Sequence, residues 1–248
     1  MKNLSIAAAL VAAILVGSPA CAVAQPAMNW TGFYVGANGG YAWSNVDVSM
    51  TLGGLWFTEP FGPNGSHGSR DNSITAGLQA GYNVQLGRVV VGLEADLNYL
   101  DVGTSYDSGV VVTPPLSPYR VTDSFTSRWV ATARPRIGVL ASDRTLLYLT
   151  GGLAVSRVSF AQTLSFPTIP STTSGVVSKT RYGWSIGGGL EQMFAANWTV
   201  KLEYLFTDFG EVSFTTELPF PVSPGYLQDH SARLSSHLLR LGINYSFN

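Results

Sequence analysis

Three histidines, His67, His230 and His237, are the first side chains to test for chemistry. Imidazole is the commonest metal ligand and the usual general base near neutral pH. Two of the three fall in polar connecting stretches and the third near the start of a strand pattern. No two have the spacing of a metal pair. Ser235-Ser236-His237 sets a hydroxyl beside an imidazole, as a lipid-cleaving hydrolase at a membrane rim would need. Serine is so frequent in this chain that the adjacency carries little weight. Gly187-Gly188-Gly189 lacks the lysine and helix start of a phosphate loop. The chain is therefore expected to be no enzyme, and to hold neither cofactor nor metal.

Charged residues that alternate with apolar ones are more informative. Glu94, Asp96, Arg128, Arg134, Arg136, Glu191, Lys201, Glu203 and Arg240 are all assigned to the polar phase of their segments. That is five positive charges against four negative. On the inside of a narrow barrel they would form either an ion-selective constriction or a salt-bridge network that fills the bore. An eight-stranded barrel is only just wide enough for its own side chains. Unpaired charges there cost several kcal/mol each, so the filling network is the favoured reading, shared with Tyr34, Gln79 and Gln85.

The elements that must position these charges follow a period of two. In residues 73–86, Ile74, Ala76, Leu78, Ala80, Tyr82, Val84 and Leu86 alternate with Ser73, Thr75, Gly77, Gln79, Gly81, Asn83 and Gln85. Strict alternation puts apolar and polar side chains on opposite faces of one β-strand. The same rule holds in residues 30–43, 89–99, 125–141, 145–160, 180–193, 198–209 and 239–247. The sum is eight strands, each long enough to cross a bilayer when tilted.

The apolar face ends in Tyr41, Trp43, Tyr82, Tyr99, Trp129, Tyr182, Trp184, Trp198, Tyr204 and Tyr245. Tyr and Trp at strand ends form the interfacial girdles of membrane barrels. Short connections near Gly87, at Ser142-Asp143-Arg144 and at Ala195-Ala196-Asn197 alternate with long ones, roughly 45–72, 101–124, 161–180 and 211–235. Strands are expected to run some way into the long ones, for instance over residues 46–52. The fold expected is an all-β, eight-stranded, antiparallel up-and-down transmembrane β-barrel with long extracellular loops and short periplasmic turns.

Composition agrees. Only 12% of the 248 residues are charged while 46% are hydrophobic, against about 25% charged in soluble domains. A net charge of -1 gives no basic face for nucleic acid. Lys2, the apolar run 4–16 and Ala22-Val23-Ala24 read as a signal peptide over residues 1–24, leaving residues 25–248 as the barrel domain. Cys21 lies inside that leader, so the mature chain is expected to carry no disulfide. Export points to the outer membrane of a Gram-negative cell. The partners expected are outer-membrane lipids, lipopolysaccharide and, during assembly, the barrel-insertion machinery. No ligand of the surface loops is legible.

Several motifs carry a resemblance. Trp30-Thr31-Gly32-Phe33-Tyr34-Val35-Gly36-Ala37-Asn38-Gly39-Gly40 is similar to the opening strand of the small alphaproteobacterial outer-membrane immunogenic β-barrel proteins, within the OmpA-like transmembrane barrel group. Gly92-Leu93-Glu94-Ala95-Asp96, Lys201-Leu202-Glu203-Tyr204 with Asp208-Phe209-Gly210, and Arg240-Leu241-Gly242-Ile243-Asn244-Tyr245-Ser246-Phe247 resemble the same family. The resemblance implies a surface antigen or envelope-stabilising protein, with a small porin or a haem- or host-ligand-binding receptor as alternatives. Leu239, Leu241, Ile243, Tyr245 and Phe247 match the C-terminal assembly signal, although Asn248 follows where such barrels usually end on Phe.

Overall fold

Alternating sequence closes on itself in the computed structural model, which describes residues 29–54, 65–110, 118, 120–168, 171–217 and 226–247. Eight strands follow in chain order: β1 (Gly32–Gly54), β2 (Gly65–Leu86), β3 (Val89–Asp107), β4 (Arg120–Ser142), β5 (Thr145–Phe166), β6 (Ser171–Ala195), β7 (Trp198–Glu217) and β8 (Tyr226–Phe247). Each pairs antiparallel with the next, and β1 pairs with β8 to complete a closed barrel. Where the eight strands all pair, closure leaves no strand edge, so the ladder N–H and C=O groups within the membrane band are satisfied without water.

The phase of each strand decides its faces. Leu78 is 69% exposed on the outer wall while its neighbour Gln79 is 4% exposed inside. Leu93 and Glu94 divide in the same way, as do Leu202 and Glu203. Leu239, Leu241, Ile243 and Phe247 all face outward on β8. The outward aromatics gather in two rows. On the turn side, Phe33 stacks on Phe247 at 5.8 Å and Trp198 meets Tyr245 edge-on at 5.1 Å. On the far side stand Tyr41, Trp43, Tyr99, Trp129, Tyr182, Trp184 and Tyr204. Ten residues separate Phe33 from Trp43 along β1. At ~3.3 Å per residue and a tilt near 40° that is ~25 Å along the barrel axis, the height of an outer-membrane apolar band.

The strands run well past that band. They hold 19 to 25 residues, whereas ~9–11 suffice to cross. The expected long connections are therefore mostly hairpin: β5 and β6 pair continuously out to Phe166↔Ser171. Beyond the aromatic row no lipid face exists, so polar outward residues such as Asn72 and Asn45 do not end a strand. The expected leader, residues 1–24, and Asn248 lie outside the described residues.

Arg128, assigned above to the inner face, is exposed on the outer wall. The β4–β5 register shifts between Ser127↔Val158 and Val130↔Ser156, where β4 carries one residue more than its partner. Such a bulge reverses the phase. Ser127 and Val130 both turn inward, and Arg128 and Trp129 both lie between them on the outside. Removing Arg128 leaves four cations and four anions of the assigned set inside.

Candidate functional site

The inner face is built in three tiers. Nearest the short turns, Trp30, Val90, Leu140, Leu146, Tyr148 and Met193 form one apolar cluster. Trp30 precedes β1 and folds across the mouth. Its backbone N–H donates to Gln85 Oε1 at 2.9 Å and its indole N–H to the Asp143 carbonyl at 3.3 Å, linking two turns. At the opposite end of the bore, Ala42, Leu100, Val102, Phe125, Val130, Ala154, Val158, Leu205, Phe209, Leu234 and Leu238 form a second cluster. The bulge on β4 delivers Val130 to it. A second bulge, between Asp208 and Glu211, turns Phe209 inward, with Gly210 held at φ +68° by its N–H donating to Asp208 Oδ1.

Between the apolar tiers lie the charges. Glu94 on β3 accepts from Lys201 Nζ at 2.8 Å, Arg134 Nη2 at 2.9 Å and the Tyr34 hydroxyl at 2.6 Å. Asp96 takes Arg134 at 2.6 Å, Arg240 at 3.3 Å and Thr132 Oγ1 at 2.7 Å. Glu203 pairs with Arg240 and accepts from the Tyr148 hydroxyl at 2.9 Å. Glu191 takes Arg136 at 2.5 Å, Thr199 at 2.5 Å and Asn244 at 2.7 Å. The Arg136 guanidinium sits 4.1 Å over the Tyr148 ring. Gln79, from β2, bridges Asn38 and Asn244, so all eight strands contribute to one polar layer.

Close approach sets the wall residues. A Cβ at Gly81 would lie 2.4 Å from the Tyr34 hydroxyl, so only glycine admits the ring that reaches Glu94. The network is buried as well as neutral. Arg134, Lys201 and Arg240 expose 1%, 0% and 1% of their surface. Each carboxylate is held by a guanidinium or an ammonium, and no metal-type cluster of His, Cys, Asp or Glu occurs among the described residues.

Of the chemistry candidates, Ser236 and His237 part company. Ser236 points inward and shares a hydrogen bond with Ser44 Oγ at 2.7 Å. His237 points outward, lies parallel to Trp43 at 5.9 Å, meets Phe206 at 5.0 Å and contacts the Tyr204 hydroxyl through Nδ1 at 2.6 Å. Adjacent strand residues face opposite ways, so this hydroxyl and imidazole do not form a nucleophile–base pair. His237 lies well inside β8, as a member of the aromatic row, not near a strand start. The side chains of His67 and His230 lie outside the described residues.

Sequence reading missed the two apolar tiers and Trp30. Their signal was present as breaks in alternation: Val89-Val90-Val91, Leu146-Leu147, Tyr204-Leu205-Phe206 and Leu238-Leu239 are apolar in both phases.

Comparison with known proteins agrees with this geometry. The family model for the outer membrane protein β-barrel domain matches residues 8–247. The 31 kDa outer-membrane immunogenic protein of Brucella melitensis biotype 1 is 32% identical over 251 aligned positions, covering 96% of this chain and 93% of that protein. The 22 kDa outer membrane protein of Rhizobium leguminosarum bv. viciae is 31% identical over 187, covering 75% and 67%. Among solved structures, the outer membrane protein OprG from Pseudomonas aeruginosa shares the fold with a TM-score of 0.52, at 11% identity, over 90% of this chain and 100% of that one.

Proposed function

Because the chain belongs to the outer membrane protein β-barrel family, with outer-membrane immunogenic proteins among its relatives, we propose that it serves the cell envelope as a closed structural barrel. In this reading it presents surface hairpins and conducts no solute. The observation that carries the reading is the burial of Arg134, Lys201 and Arg240 at mid-bore. A water path would leave such side chains accessible, and here an apolar cluster lies on each side of them. Catalysis plays no part in this reading: Ser236 faces away from His237, and Ser235, on the same face, makes no hydrogen bond to it.

The strands extend beyond the lipid band on the long-hairpin side, which fits a barrel that displays a surface to the outside. Deletion of the chain in its own host tests the role. The expected phenotype is envelope fragility, seen as greater sensitivity to detergent and release of outer-membrane material, with unchanged uptake of small hydrophilic solutes. Slower solute uptake with an intact envelope would instead assign the chain as a small porin.

A further inference from the structure

The bulge that removes Arg128 from the bore creates a second feature on the outer wall. Arg128 and Trp129 occupy two positions on β4 opposite the single Arg157 on β5, between the pairs Ser127↔Val158 and Val130↔Ser156. Arg157 is itself exposed and outward, since Ser156 and Val158 on either side are buried. Two guanidinium groups thus stand on adjacent strands of the outer wall. Their height is set by their neighbours. Trp129 pairs with Tyr99, and Tyr182 pairs with Val155 two residues before Arg157, so the arginines sit just past the aromatic row on the long-hairpin side. In an outer membrane that side faces outward.

Like charges placed opposite each other on neighbouring strands repel. Among the described residues neither Arg128 nor Arg157 has a counter-charge: neither makes an ion pair or hydrogen bond with a described residue. Asp101 on β3 also faces outward near the bulge, yet it pairs with neither. Thr180, exposed opposite Arg157, adds a hydroxyl. The buried cations Arg134, Arg136, Lys201 and Arg240 are matched by carboxylates; this outer pair is left open toward the headgroup layer. Arginine is the side chain suited to bidentate phosphate recognition.

We propose that Arg128 and Arg157 bind the phosphate of an outer-leaflet glycolipid, with Trp129 and Tyr182 against its acyl chains. The proposal rests on the outer-membrane placement above and is independent of whether the bore is closed. Channel activity would leave it standing, and indifference to glycolipid would leave the closed bore standing.

The test is lipid retention by the refolded full-length mature protein in detergent, read by native mass spectrometry. The probes are diphosphorylated lipid A, its dephosphorylated form and phosphatidylglycerol. The wild type is expected to retain diphosphorylated lipid A about tenfold better than the double variant Arg128→Gln/Arg157→Gln. Dephosphorylated lipid A and phosphatidylglycerol should be held by the wild type no better than the variant holds diphosphorylated lipid A. Unchanged boiling-dependent gel mobility reports that the variant is folded. Arg120→Gln, which removes a charge from the far hairpin, should retain lipid as the wild type does. Equal retention by wild type and double variant, equal retention of any probe, or an equal loss in Arg120→Gln would overturn the site.

Discussion

Lys201 on β7 and Glu94 on β3 meet across the bore at 2.8 Å, joining strands that share no hydrogen-bonded edge. Neighbouring strands are already tied by their ladders; this contact and Arg240–Asp96, from β8 to β3, tie opposite walls. The charged tier therefore acts as cross-bracing, and its neutrality matters because each member is taken from water.

Removing one partner should show this directly. Glu94→Gln leaves Lys201 and Arg134 short of charge in a buried site, where breaking a buried pair costs ~3–5 kcal/mol. Urea unfolding in lipid vesicles should report a loss of that size. The double variant Glu94→Gln/Lys201→Met should lose less than the sum of the two single losses, with a coupling of ~0.5–3 kcal/mol. Simple additivity would mean the two groups do not interact.

The outer wall makes a different prediction. Leu78→Arg places a cation against hydrocarbon near mid-band and should cost ~2–4 kcal/mol in vesicle refolding. A spin label at 78 should be quenched by lipid-soluble oxygen, and one at 79 should not. Quenching at 79 and protection at 78 would invert the faces.

How much of this was legible follows from what alternation encodes. Period two gave the phase of Leu78, Glu94 and Glu203 because a lipid wall and a packed bore impose opposite chemistry on successive residues. It misplaced Arg128, since an inserted residue flips the phase without changing any residue type. Strand ends were obscure for a related reason: past Trp43 and Tyr182 both faces meet polar surroundings, so nothing in the composition marks where pairing stops. The tier of Leu205 and Leu238 was hidden by the assumption that a bore is polar, and Trp30 was counted as strand when it is the plug beneath it.

Trp30 is 5% exposed among five apolar residues. Trp30→Ala should destabilise the barrel by ~3–5 kcal/mol, the usual cost of emptying a large aromatic site. Faster hydrogen exchange at the turn end of β1, with the far hairpins unchanged, would locate the effect. Unaltered stability would show that the indole is merely laid over the mouth.

The far hairpin carries an ion pair that should survive into acid. Arg120, donating through Nε at 2.8 Å and through Nη2, holds the Asp107 carboxyl down at about 2, helped by the Gly109 N–H. A lowered folded value means the contribution is present above the unfolded value near ~3.9 and fades as pH falls through about 2. Carboxyl NMR should find Asp107 titrating at the low end, and Arg120→Gln should return it toward the ordinary range. Titration at the ordinary value in the wild type would mean the pair is not formed in solution.

The central claim is that the bore is closed, and single-channel recording of the purified monomer in a planar bilayer tests it most directly. Opposed charges at Glu94, Arg134, Lys201 and Arg240 between two apolar tiers predict a quiet membrane, with at most small, rare openings. Large, long-lived channels in most insertions, persisting in Glu94→Gln, would mean that the same residues line a pore.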